Sequence, residues 1–272
     1  MKIPHIVGDW QVLFRPEDHG NYVNDHTIVK GSDGAWHLYG IASFGRRAYD
    51  ERWFVHGRGE RLDAPMEEVG RSIDRGTLAW APCVIERDGI YYMFYGPSPT
   101  SLAVSFDMRE WYGHTVTLRN EPLMAAHRDH FVLKLSENEY LMYVVGVHER
   151  KGAVSCFRSG DLLTWDFVGF ALTSGDDAPL KPGWGAMESP FVLKKDGFYY
   201  LFWSAWNGKN GAYDERTFVF AAESLEGLRN TAPITMLRAH APEIVTDNDG
   251  TAYLLSVFYP ENGISAVRLS WQ

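Results

Sequence analysis

Met187-Glu188-Ser189-Pro190-Phe191-Val192-Leu193 is the stretch on which the reading of this chain turns. A carboxylate stands two residues before a proline, and a run of β-favouring apolar residues follows. Lys195-Asp196-Gly197 then supplies a turn, and Phe198-Tyr199-Tyr200-Leu201-Phe202-Trp203 a second strand. The same layout occurs four more times. It starts at Asn24-Asp25-His26-Thr27-Ile28-Val29, Trp80-Ala81-Pro82-Cys83-Val84-Ile85, Arg128-Asp129-His130-Phe131-Val132-Leu133 and His240-Ala241-Pro242-Glu243-Ile244-Val245. The turns that follow are Ser32-Asp33-Gly34, Arg87-Asp88-Gly89, Ser136-Glu137-Asn138 and Asn248-Asp249-Gly250. From one turn to the next the interval is 49 to 59 residues. Asp-Gly between two apolar runs is a strong hairpin signal, because both turn positions want positive φ.

Each unit continues into a third run: Trp53 to His56, Leu102 to Phe106, Ala153 to Phe157, Phe218 to Ala222 and Ile264 to Leu269. Two units add a fourth-strand signal, where Asp107-Met108-Arg109-Glu110-Trp111 parallels Asp161-Leu162-Leu163-Thr164-Trp165. No long stretch carries helical periodicity. Four-stranded units repeating about every fifty residues predict an all-β fold, a five-bladed β-propeller, as one domain over residues 1–272. A β-sandwich would also use such strands, but it does not demand regular spacing. The fifth unit ends after its third run. Trp10-Gln11-Val12-Leu13-Phe14 is therefore expected to pair with Ile264 to Leu269, close the ring and leave no exposed edge.

The 272 residues, 45% of them hydrophobic, suffice for a sizeable core. A net charge of −9 argues against nucleic acid and anionic membranes as partners. No apolar run is long enough to span a bilayer. Two cysteines form no disulfide framework, and Cys83 and Cys156 are expected to be buried free thiols. Met1 to His5 does not read as a signal peptide. The cytoplasm is the expected compartment, or the exterior if a leader has been removed. Nothing in the sequence specifies an oligomeric state.

In a propeller the inner strands stand around one axis, so equivalent positions meet at one mouth. One column holds Asp25, Ala81, Asp129, Ser189 and Ala241; the column before it holds Asn24, Trp80, Arg128, Glu188 and His240. Three carboxylates around one axis suit glycoside hydrolysis, in which an acid protonates the leaving oxygen and a second carboxylate activates water or attacks the anomeric carbon. A third can hold the acid's proton on by like charge. Trp80 offers an aromatic face. The plainer alternative is that such residues cap turns, or that Arg128 and Asp129 form only an ion pair. His26 and His130 either line the pocket or serve as hydrogen-bonded strand residues. Arg52 and His56 are expected at the surface, and no histidine spacing fits zinc. The loops Ser43 to Glu51 and Ala205 to Arg216 are expected either to wall the pocket or to lie on the opposite face.

On these motifs the chain resembles family 43 glycoside hydrolases, five-bladed propellers related to the invertase and levansucrase families. The resemblance spans nearly the whole chain. It implies a base at Asp25, an acid-tuning carboxylate at Asp129 and a general acid at Glu188, in Glu188-Ser189-Pro190. Trp80-Ala81-Pro82 matches a second-blade motif. Asn24, Trp80, Arg128, His26, His130 and His240 are the implied substrate contacts. No cofactor is required; an axial water or a structural calcium is implied near His240, reached through water. The implied substrate is an oligosaccharide or glycoside, arabinofuranosyl or xylosyl, cleaved with inversion. The family's usual Asp-Pro is replaced by Asp25-His26 and Asp129-His130. Asn24-Asp25 and Arg128-Asp129 instead echo the invertases, which keeps open a retaining fructofuranosidase-like enzyme. A propeller that binds carbohydrate or protein without turnover is the remaining alternative.

Overall fold

The computed structural model describes residues 1–17, 22–43, 50–74, 76–174, 187–205 and 215–272. Five sheets, antiparallel except for one added strand, account for the described strands. Strand β1 (Pro4–Phe14) comes first and is used last. Blade one is β2 (Asn24–Lys30), β3 (Trp36–Ser43), β4 (Glu51–Gly59) and β5 (Glu67–Ser72). Blade two is β6 (Trp80–Arg87), β7 (Ile90–Gly96), β8 (Ser101–Ser105) and β9 (Tyr112–His114). The next strand, β10 (Thr117–Arg119), leaves blade two. It adds in parallel to the outer edge of blade three, formed by β11 (Ala125–Ser136), β12 (Glu139–His148), β13 (Lys151–Ser159) and β14 (Thr164–Thr173). Blade four is β15 (Met187–Lys195), β16 (Phe198–Ala205), β17 (Arg216–Ala222) and β18 (Thr235–Arg238). Blade five takes β19 (Glu243–Thr246), β20 (Ala252–Val257) and β21 (Ile264–Trp271), and β1 completes it.

Closure occurs as the missing fourth strand requires, and over a longer stretch than Trp10 to Phe14. Ile6 pairs with Leu269, Gln11 with Ala266 and Phe14 with Ile264. A register shift between Val7 and Gln11 lets β1 bend, and Gly8 there has φ of 81°. Leu13 and Phe14 are buried in the seam between blades five and one.

Five apolar clusters hold the ring, one at each seam. The second strand of a blade feeds two seams at once, because its side chains alternate faces. Leu38 packs towards blade five and Tyr39 towards blade two. Tyr140 packs towards blade two and Leu141 towards blade four. All eight residues of β3 are buried for this reason. The same packing corrects the expectation for His56: it lies on β4, is buried, stacks on Tyr39 at 4.4 Å and bonds His37 at 2.9 Å. Arg52 is exposed, as expected.

Two of the Asp-Gly turns, at Asp88-Gly89 and Asp196-Gly197, have positive φ at both residues. At Asp33-Gly34 and Asp249-Gly250 only the glycine does, and the aspartate side chain instead accepts the N–H of Ala35 or Thr251. Cys83 and Cys156 are buried free thiols, pushed up to about 12 by burial. Among the described residues no helix is long and apolar enough to cross a membrane.

Candidate active site

Four of the five inner strands enter the ring through a break in the ladder. Register shifts fall between Asn24 and His26, Trp80 and Cys83, Arg128 and Phe131, and Glu188 and Phe191. In blades two to five the residue at the equivalent position is left-handed: Ala81 (φ 46°), Asp129 (55°), Ser189 (49°) and Ala241 (49°). Non-glycine residues there carry strain of about 1–3 kcal/mol each. The strain has a geometric result. A regular strand sends neighbours to opposite faces, yet consecutive residues here line one axial cavity: Asp25 and His26, Ala81 and Pro82, Asp129 to Phe131, Ser189 to Phe191, Ala241 to Glu243. Buried serines of the second strands brace the entry to blade five. Ser204 Oγ accepts the Ala241 N–H at 2.8 Å and Ser256 Oγ the His240 N–H at 2.9 Å.

The three expected carboxylates share one hydrogen-bonded cluster. Ser189 donates its hydroxyl to Asp25 Oδ1 at 2.9 Å and its backbone N–H to Asp129 Oδ2 at 3.0 Å. Arg128, 2% exposed, stands between the other pair: Nη2 donates to Glu188 Oε1 at 3.2 Å, and Nε lies 3.6 Å from Asp129 Oδ2. His240 Nε2 lies 3.9 Å from Glu188 Oε2. Burial, and then the charges of Asp129 and Glu188, hold the Asp25 carboxyl well above the usual range.

His26 and His130 both line the cavity. Burial pushes His26 down to about 3 and His130 well below its ordinary value, so both are neutral imidazoles at neutral pH. His130 Nε2 meets Thr100 Oγ1 at 2.8 Å. Asn24 and Trp80 gather elsewhere, around Glu51, a carboxylate on β4 that the repeat alignment does not select. Glu51 is buried, and Tyr22 donates its hydroxyl to Oε1 at 2.5 Å. Glu243 is a second omission. It forms part of the cavity, accepts the Ile28 N–H at 2.9 Å across the seam between blades, and is pushed up to about 8 by burial. The stretches Ser43 to Glu51 and Ala205 to Arg216, expected to wall the pocket or lie on the opposite face, fall mostly on residues 44–49 and 206–214, outside the described residues.

Among the described residues no group of three or more His, Cys, Asp or Glu is arranged to hold a metal ion. Glu188, the carboxylate nearest His240 in the ion-pair geometry, is already engaged by Arg128. The described residues do not make a direct calcium cage. A roomier cleft of about 670 Å³ lies between Lys195, Ile244, Arg268 and Trp271. Its lining side chains include no carboxylate, whereas the smaller axial site gathers Asp25, Asp129 and Glu243.

The family model described as Glycosyl hydrolases family 43 matches residues 118–270, more than half of the chain. The chain belongs to glycosyl hydrolases family 43. As a member of that family it is a glycosidase. No curated protein matches it significantly. Among solved structures, this family 43 chain is similar to a thermostable family-43 glycoside hydrolase (19% identity, 95% of this chain and 92% of that one, TM-score 0.67). It is similar to an endo-arabinase from Bacteroides thetaiotaomicron (15% identity, 95% and 96%, TM-score 0.68). It is also similar to sucrose-6-phosphate hydrolase from Lactobacillus gasseri (15% identity, TM-score 0.66), of which it spans 58% while 92% of its own length is matched.

Proposed function

We propose that the chain removes arabinofuranosyl or xylosyl units from an oligosaccharide or glycoside, by single displacement with inversion. One observation carries the reading: carboxylates from blades one, three and four, far apart in sequence, share a cluster joined by Ser189 and Arg128. Glu188 gives its proton to the glycosidic oxygen as the bond to the anomeric carbon breaks. Water adds to that carbon from the opposite side, and Asp25 takes its proton. The environment of Asp25 makes it a strong base once ionised. A proton on Glu188 removes one of the two main charges that oppose Asp25 ionisation, and the Asp129 charge favours keeping that proton in place. Arg128 then stabilises the Glu188 carboxylate left when the proton departs. Asn24, Trp80, His26, His130 and His240 contribute contacts to the sugar.

The similarity to an endo-arabinase supports a pentosyl substrate. The Arg128-Asp129 pair favours the second reading, a retaining fructosyl enzyme with Asp25 as nucleophile.

A panel of nitrophenyl glycosides with proton NMR of the first-released anomer tests both. Inversion is expected. Glu188→Gln should hurt most the substrates with poor leaving groups, and Asp25→Asn should hurt all of them, each by at least about 10²-fold. Retained configuration would transfer the case to the fructosyl reading. Near wild-type activity in Asp25→Asn would remove Asp25 from the role of base.

A further inference from the structure

Glu51 stands outside the three-carboxylate pattern, yet its surroundings tie it to the same site. It opens β4 and is 2% exposed. A carboxylate so buried must be hydrogen-bonded or paired. Tyr22 provides one donor, its hydroxyl, at 2.5 Å. Tyr22 is itself held: its ring packs on Phe258 of blade five, 5.9 Å between centroids. The Glu51 carbonyl accepts the N–H of Ala79 at 2.9 Å, immediately before Trp80. The polar side chains facing the carboxylate are those of Asn24 and Trp80. Contacts of one residue therefore join the entries to the inner strands of blades one and two, with blade five behind. Its charge also bears on Asp25 and Asp129.

We propose that Glu51 is a positioning residue of the glycosidase site: clamped by Tyr22, its carboxylate holds Asn24 and Trp80, the residues that lead into Asp25 and Ala81 of the cavity wall. This rests on the reading of Asp25 and Trp80 given above. Asn24 directly precedes Asp25, and Trp80 directly precedes Ala81, both of which line the axial cavity. A shift of either moves the backbone that carries the cavity wall, and misplacement by about 1 Å can cost about 10²-fold in rate. The negative charge adds a second effect, since like charge disfavours ionisation of Asp25. Glu51 need not touch the sugar for either effect.

The test compares wild type, Tyr22→Phe, Glu51→Gln and Glu51→Ala on the best chromogenic glycoside of the panel. It reads kcat, KM, the pH profile of kcat/KM and thermal melting. Tyr22→Phe and Glu51→Gln should lower kcat/KM about 10-fold or more, with a raised KM. Glu51→Ala should lose more than Glu51→Gln, which keeps an acceptor for Tyr22. In Glu51→Gln the acidic limb should move to lower pH, because a charge opposing Asp25 ionisation is gone. A merely structural residue would not move that limb. Wild-type kinetics with an unmoved limb in both conservative variants would overturn the proposal, as would losses that follow melting temperature alone. If Glu51→Ala fails to fold, the two conservative variants decide. A wild type that cleaves no glycoside and binds none removes the site reading itself, and this proposal falls with it. An active wild type with unaffected variants refutes only the role of Glu51.

Discussion

Replacing Glu243 by glutamine should remove a pH dependence of stability. Glu243 opens β19, is buried on the cavity floor, and accepts the Ile28 N–H across the seam between blades five and one. Burial raises its carboxyl from 4.5 to about 8. The folded state thus holds a proton that the unfolded chain releases near 4.5. Stability from this group is fully present below pH 4.5, falls between pH 4.5 and 8, and is lost once pH has risen through 8. At about 1.4 kcal/mol per pH unit, the whole interval amounts to about 5 kcal/mol, and pH 7 already costs about 3 kcal/mol. A glutamine is neutral throughout, is nearly the same size, and still offers an oxygen to Ile28. Urea unfolding of wild type and Glu243→Gln at steps between pH 4.5 and 9 gives the difference in stability, in which the other titrating groups cancel. The variant should gain steadily on wild type as pH rises and level off above pH 8. A difference that stays flat within about 0.5 kcal/mol would show that Glu243 is ionised in the folded state and that the argument from burial is wrong.

Arg128→Met should destabilise by about 3–5 kcal/mol, because Asp129 and Glu188 would lose a buried counter-charge; melting should fall by roughly 6 °C or more, and a change under 1 °C would contradict the bridging geometry. Phe14→Ala should cost about 3–5 kcal/mol, since Phe14 is 1% exposed and its ring packs where a side chain at Gly57 would stand. Removing β1 altogether should abolish cooperative melting, and retained cooperativity would mean that blade five does not need its fourth strand.

The repeat architecture was legible because its signals are local. Turn residues, β-favouring runs and regular spacing all lie within a few residues of one another. They predict the first three strands of every blade, which the structure contains. Apart from the N-terminal strand that closes blade five, the fourth strands were legible only near Trp111 and Trp165. Trp165 is fully buried, whereas β5 and β18 are outer-edge strands of mostly partly exposed or exposed residues, with no apolar pattern to mark them. The parallel between the stretches that end at those tryptophans has a local cause: Ser105 with Asp107, and Ser159 with Asp161, accept backbone N–H groups of the same turn.

By itself the sequence determined the five units, the need for an N-terminal closing strand, and the convergence of Asp25, Asp129 and Glu188. Equivalent positions of a closed repeat must meet at its axis, whatever the details of packing. Only the tertiary structure decided what surrounds them. Glu51 and Tyr22 lie off the repeated columns, Glu243 follows an apolar-looking Ala-Pro, and His56 looks like a surface polar residue. Their burial comes from blade facing blade, a contact between residues distant in sequence. The left-handed conformations at Ala81, Asp129, Ser189 and Ala241 are equally hidden, since none of these residue types demands positive φ; the closed ring imposes it on them.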